Sequence, residues 1–222
     1  MNLKHLAAAS VFAIGSLVSS MAFATPIVGL SNTGASSTAG NQDLNYHLSK
    51  TGGDGPAIGA YGYESASNIW PVATGGPWIA NSTTSQWLAP LANTSQTFDA
   101  NSNGIYTWRL IFDLSGFNAS SATFSGQWAT DNSGQILLNG TALANPSTGF
   151  TSWASFSSTG GTFNAGLNYL DFVVTNLRQN GGNPTGLRVE FLNSNVTAVP
   201  EPGTLGLLMF GFAALGVSRR RK

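Results

Sequence analysis

The sequence predicts an all-β domain between two terminal segments that lie outside the fold, and three observations predict it. Apolar and polar residues alternate with a period of two in several segments. Clusters of Gly, Asn, Ser and Asp interrupt those segments about every ten residues, the spacing of a sandwich or barrel. Between the two ends no stretch carries a sustained helical stripe.

The elements follow in order. Asn45-Tyr46-His47-Leu48 reads as a strand. From residue 51 to 103 the chain is irregular and rich in Gly, Ser, Thr and Asn, yet it holds Trp70, Trp78 and Trp87. Long loops with docked aromatics fit that composition better than disorder. Tyr106, Trp108, Leu110, Phe112 and Leu114 then share one strand face, with Thr107, Arg109, Ile111 and Asp113 on the other. Ala122, Phe124, Gly126 and Trp128 repeat the pattern, which assigns Trp108 and Trp128 to the core. Ile136-Leu137-Leu138 runs into Asn139-Gly140, the signature of a tight hairpin. Leu170, Phe172 and Val174 alternate with Asp171, Val173 and Thr175. Leu187, Val189 and Phe191 alternate with Arg188 and Glu190. Each strand therefore predicts one buried and one solvated face, as in an antiparallel sandwich.

Composition narrows the function. The 222 residues are 42% hydrophobic and only 8% charged, too apolar for a disordered chain. Nine basic residues balance nine acidic ones, so nothing suggests a nucleic-acid partner. The absence of cysteine removes disulfides, thiolate metal sites and cysteine nucleophiles together.

The ends read as processing segments. Lys4 and His5 precede an uncharged apolar run to Met21, and Ala22-Phe23-Ala24 places small residues at −3 and −1 of a signal cleavage site. Residues 1–24 are thus expected to be a signal peptide and 25–198 the exported domain. Four cationic and eight anionic side chains lie within that body, which makes it acidic. At the other end, Pro200-Glu201-Pro202 precedes an apolar run from Thr204 to Val217 and a Ser218-Arg219-Arg220-Arg221-Lys222 terminus. As a helix that run rises about 21 Å, short of the roughly 30 Å hydrocarbon core. The basic cluster is expected to stay cytoplasmic.

Residues 199–222 resemble the PEP-CTERM sorting tail of Gram-negative, exopolysaccharide-producing bacteria. The resemblance implies recognition by an exosortase-type sorting enzyme. Glu201 and its flanking prolines would be the recognition element, the short hydrophobic helix a membrane anchor, and Arg219, Arg220 and Arg221 the orienting charges. It also implies export as an inner-membrane-anchored precursor, then delivery to the cell surface or extracellular matrix. The same tail carries the label "ice-binding protein C-terminal", but no fixed-period Thr ladder supports ice binding.

The body is similar, more loosely, to galactose-binding-like jelly-roll modules. Asp43-Leu44-Asn45-Tyr46, Pro77-Trp78-Ile79, the Tyr106–Leu114 strand, Gly126-Gln127-Trp128-Ala129-Thr130-Asp131-Asn132 and Gly166-Leu167-Asn168-Tyr169-Leu170 carry the likeness. It implies a jelly-roll sandwich and, in such modules, often a structural calcium.

Candidate chemistry follows from residue types. A sugar site needs flat rings beside amide and carboxylate groups. The candidate rings are Trp70, Trp78, Trp87 and Trp153, and the polar partners are Asn68, Gln86, Asp131 and Asn132. Asp131 and Asn132 carry two readings, as oxygen ligands for calcium or as an Asx-type turn before Gly134. A catalytic reading is poor, because the body has one histidine, His47, scattered acids and no nucleophile elbow. The expectation is a non-catalytic envelope or matrix protein that binds extracellular polysaccharide. A self-associating structural protein is the alternative, with a hydrolase behind it.

Overall fold

The computed structural model describes residues 23–35, 38–144, 149–159 and 161–199. Ala24–Thr197 forms one compact unit. Phe23, Ala198 and Val199 are the described part of a second unit, 1–23 with 198–222. The apolar run of the signal segment and the expected helix over 204–217 lie outside the described residues.

The described chain is all-β, with eleven strands and no helix. They are β1 (Ala24–Thr25), β2 (Gln42–Gly52), β3 (Tyr61–Glu64), β4 (Leu88–Ala89), β5 (Gly104–Asp113), β6 (Phe117–Asp131), β7 (Ser133–Leu138), β8 (Thr141–Ala142), β9 (Ala154–Ser157), β10 (Leu167–Asn176) and β11 (Gly186–Ala198). All are hydrogen-bonded into one antiparallel sheet in the order β8-β7-β10-β5-β2-β3-β4-β11-β6-β9, with β1 added to β11. The expected cleavage point after Ala24 falls within β1, whose two residues pair as Ala24↔Thr197 and Thr25↔Val196.

The alternation read from the sequence is realised in the strands. Along β5 the residues Tyr106, Trp108, Leu110 and Phe112 are buried while Arg109, Ile111 and Asp113 are exposed. Ala122, Phe124 and Trp128 of β6 and Leu170, Phe172 and Val174 of β10 join the same core. The Asn139-Gly140 pair makes the β7–β8 hairpin, with φ of 51° and 82°, the mirror-image turn geometry that asparagine and glycine tolerate.

The sheet curls until its two ends meet. β6 and β7 are separated only by Asn132, yet they lie at opposite ends of the strand order. The chain therefore crosses the core at that corner. Trp128 and Phe156, from β6 and β9, bring their rings to 5.9 and 5.8 Å from Phe172 on β10, and Tyr46 of β2 lies 6.2 Å from the same ring. Gly126 permits this approach, because a Cβ there would collide with the Glu190 carbonyl and the Phe156 ring.

One expectation fails on β11. Arg188 and Glu190, read as its solvated face, are 1% and 8% exposed. A smaller apolar cluster of Val72, Trp78, Trp87 and Ala129, flanked by Ile79, Phe150 and Trp153, packs outside the main core and covers that face. The 51–103 region thus acts as expected, as loops carrying docked aromatics around the short β3 and β4.

Truncating the residue on which both ends of the sheet pack should be costly. Phe172→Ala is expected to lose about 3–5 kcal/mol of unfolding free energy. Ile111→Ala, at an exposed position of β5, should stay within about 0.5 kcal/mol. Urea denaturation of the two variants checks the difference.

Candidate functional site

The predicted ring residues do not form one open platform. Trp78 and Trp87 stack on each other, with centroids 4.2 Å apart and planes inclined by 33°, and both are buried. The Trp87 indole donates to the Ile79 carbonyl at 2.8 Å, and the Trp78 indole donates to Asp131 Oδ2 at 2.8 Å. Asn81 pins this segment by accepting from Trp87 N and donating to the Ser65 carbonyl and to Gln86 Oε1. Gln86 is half-buried against this arrangement. Trp153 is half-buried too, and the Arg188 guanidinium lies 4.6 Å from its ring centre.

Trp70 differs. It is 41% exposed, and Ser95 Oγ fixes its main chain by donating to its carbonyl at 2.6 Å. The loop around Gly182 borders the ring, since a Cβ on that glycine would lie 4.0 Å from the indole. Exposed Asn68 lies two residues away in sequence, so Trp70 and Asn68 are the predicted ligand residues that face solvent.

Beneath the second aromatic cluster sits a charged network that sequence reading missed. Arg188 donates from Nε to Ser85 Oγ at 2.7 Å, from Nη2 to Ser82 Oγ at 2.9 Å, and from Nη1 to the Ala80 carbonyl. Glu190 Oε1 accepts from Ser85 Oγ at 2.7 Å and lies 3.4 Å from Arg188 Nη2, while Oε2 accepts from Gln127 at 2.8 Å. Burial pushes the Arg188 guanidinium down to about 10 despite the Glu190 charge. Burial pushes Glu190 up, but hydrogen bonds from Ser85 and Gln127 and the Arg188 charge outweigh it and hold the carboxyl below its usual range. The available signal was that residues 188 and 190 share a strand face in a body with four cations. Solvent was the simpler reading, because their covering partners Ser82 and Ser85 lie 103 to 108 positions away.

Asp131 and Asn132 occupy the corner where β6 becomes β7. Asp131 is 5% exposed, and its carbonyl accepts from Thr185 Oγ1 at 2.7 Å. Asn132 Oδ1 accepts from Leu177 N at 2.7 Å. Asp131 Oδ2 and Asn132 Oδ1, the oxygens that the calcium reading would use, are each engaged by an N–H donor. Among the described residues no group of three His, Asp or Glu side chains converges. Asn132 ties the corner to the start of the 177–185 loop. Burial raises the Asp131 carboxyl to about 7, against the opposing Trp78 hydrogen bond.

Most acids are committed inside the body. Asp43 accepts from the Gly34 and Asn45 amides, Asp54 from Asn101 and Ser102, Asp113 from Ser115, and Asp171 pairs with Arg109 at 2.6 Å. His47 packs edge-on against Tyr61 at 5.5 Å. A groove of about 650 Å³ runs beside β11, lined by Ile27, Leu30, Asn32, Asn45, Phe191 and Leu192 among others, and holds none of the predicted ligand residues. Its Asn32 accepts from Phe191 N, and its Asn45 donates to Asp43.

Against known proteins, residues 198–222 match the PEP-CTERM protein-sorting motif. No curated protein and no solved structure matches the chain. The motif supports an exported protein processed by an exosortase and fits a membrane-anchored precursor in Gram-negative bacteria. Pro200, Glu201, Pro202, Arg219, Arg220 and Arg221 fall within the matched span, whose residues beyond Val199 lie outside the described structure, as does Ala22.

The raised Asp131 carboxyl sets a sign for pH dependence. The folded state holds this proton up to about pH 7, while an unfolded aspartic acid releases it near 4. The stabilising difference is full below the unfolded pKa and is lost as pH rises through about 7. Denaturation midpoints between about pH 4 and 8 should therefore contain a declining contribution that Asp131→Asn removes.

Proposed function

We propose that this exported, exosortase-sorted protein is a non-catalytic envelope or extracellular-matrix component whose body binds polysaccharide at the surface around Trp70. The carrying observation is the contrast among the four candidate tryptophans: three are stacked, buried or capped by a cation, and Trp70 alone presents an exposed ring. An indole face packs on the CH face of a pyranose, and amide groups around it can meet the hydroxyls. Exposed Asn68 on the same segment and Gln179 and Asn180 in the bordering loop supply that chemistry.

The non-catalytic reading rests on the acids. Carboxylates of the body hold hydrogen-bond or ion-pair partners, and the groove beside β11 is lined by none of them. We read the curled sheet, with β6 crossing into β7, as a sandwich of jelly-roll type. The self-associating alternative draws less support, because the strands at the ends of the order, β8 and β9, are two and four residues long and offer short edges. Before sorting, the tail would hold the precursor at the inner membrane through its hydrophobic helix, with the basic end cytoplasmic, and the body would then pass to the cell surface or matrix.

Two experiments test binding and address separately. Retention of the full chain on a panel of polysaccharides that includes the host's own should be saturable, and Trp70→Ala should weaken it about tenfold or more, near 1.4 kcal/mol. Equal retention of the variant, or none on the panel, overturns the Trp70 site. Replacing Arg219, Arg220 and Arg221 with alanine should leave unprocessed precursor in the host membrane fraction. Normal processing and surface delivery of that variant would count against the orienting role of the basic end.

A further inference from the structure

A buried constellation on the core side of the central strands has no part in the surface reading. Lys50 lies on β2 in phase with Tyr46 and Leu48, both core residues, and its side chain is only 14% exposed. Its Nζ is 3.2 Å from Oδ1 of Asp99, which is fully buried. Asp99 Oδ2 accepts from the Asn176 amide at 2.9 Å and from the Tyr106 hydroxyl at 2.8 Å. Asn176 is also fully buried, and its Oδ1 has no hydrogen-bond partner. An amine, a carboxamide and the carboxylate that bridges them thus meet in one dry place. The Tyr106 and Phe98 rings shield Nζ at 5.3 and 6.0 Å.

The backbone accounts for the convergence. Lys50 pairs with Tyr106 across β2 and β5, and Asn176 pairs with Gly104 across β5 and β10. The two side chains therefore flank β5 on the same face. Gly104 lies between them with no side chain, and a Cβ there would collide with the Asp99 carboxylate. Asp99 itself adopts a φ of 56°, a costly conformation for a residue with a side chain.

We propose that Lys50 and Asn176 are joined by an intramolecular isopeptide bond, with Asp99 as the proton relay. The ammonium of Lys50 passes one proton to Asp99, and the freed amine lone pair attacks Asn176 Cγ. The protonated carboxyl lies 2.9 Å from the carboxamide Nδ2, where it can protonate the leaving nitrogen. Asp99 then delivers that proton to Nδ2 and takes up the second Nζ proton. The Cγ–Nδ2 bond breaks as the Nζ–Cγ amide forms. Ammonia leaves and accepts the last proton, which returns Asp99 to its starting state. No oxidant, metal or co-reactant is required. Proximity in a fixed, water-poor site supplies the rate that two side chains in solution lack.

The product staples β2 to β10 across β5, in a chain with no cysteine from which to build a disulfide. The test is a tryptic peptide map of the full chain, extracted in detergent and denatured. The expected result is a branched species that joins the Lys50 and Asn176 peptides, lighter than their sum by one ammonia, with cleavage after Lys50 abolished. Lys50→Arg keeps the ion pair with Asp99 but lacks the amine, so it should show only linear peptides while the buried tryptophan fluorescence is retained. Linear Lys50 and Asn176 peptides in the unsubstituted protein overturn the proposal. So does a link at Asp99 with loss of water, or a branched species that persists in Lys50→Arg.

Discussion

Closure of the sheet over Phe172 is the constraint on which the rest of the body depends. This ring is in contact with Tyr46, Trp128 and Phe156, three side chains brought from both halves of the strand order. Without that meeting, β6 and β7 would have no reason to turn at Asn132, and the corner that buries Asp131 would not exist. The outer cluster around Trp78 and Trp87 is laid over the same region, with Trp78 bonded to the corner carboxylate. Packing energy in the centre thus positions polar groups at the periphery, because interiors are dense and tolerate few alternatives.

A second regularity is how the body uses its few charges. Carboxylates cap backbone amides, pair with arginine or bridge buried donors, and each such bond offsets the desolvation of a polar group held away from water. Arg188 and Glu190 show the extreme case, since losing either partner would strand a charge beneath Trp153. What remains for the solvent is largely hydroxyl and amide chemistry with scattered apolar side chains such as Leu44, Trp70 and Leu192.

Much of this was legible in the sequence. The alternation in 106–114 and 122–128 placed Trp108 and Trp128 in the core, and Asn139-Gly140 marked its hairpin, because those signals are local. The sorting tail is a linear motif and needs no fold to be read. Arg188 and Glu190 were misassigned because alternation reports two faces of a strand but not what later covers them. The serines that bind them belong to a loop a hundred residues upstream. Trp78 and Trp87 carried two readings, as docked loop aromatics and as candidate sugar-binding rings, and the tertiary stack favours docking. The strand order, which joins β2 to β5 and β11 to β6, likewise depends on long-range pairing that no single segment encodes.

The pairing of β1 with the far end of β11 has a further consequence. Ala24 and Thr197 face each other across one ladder, so the body begins and ends at a single edge. A chain with adjacent ends can be treated as a closed ring. Joining residues 24 and 197 through a short linker and opening the ring in the exposed 179–182 loop would yield a circular permutant that keeps the strand order. The same adjacency would let the whole body be grafted into a surface turn of another protein, with its host's backbone entering and leaving side by side.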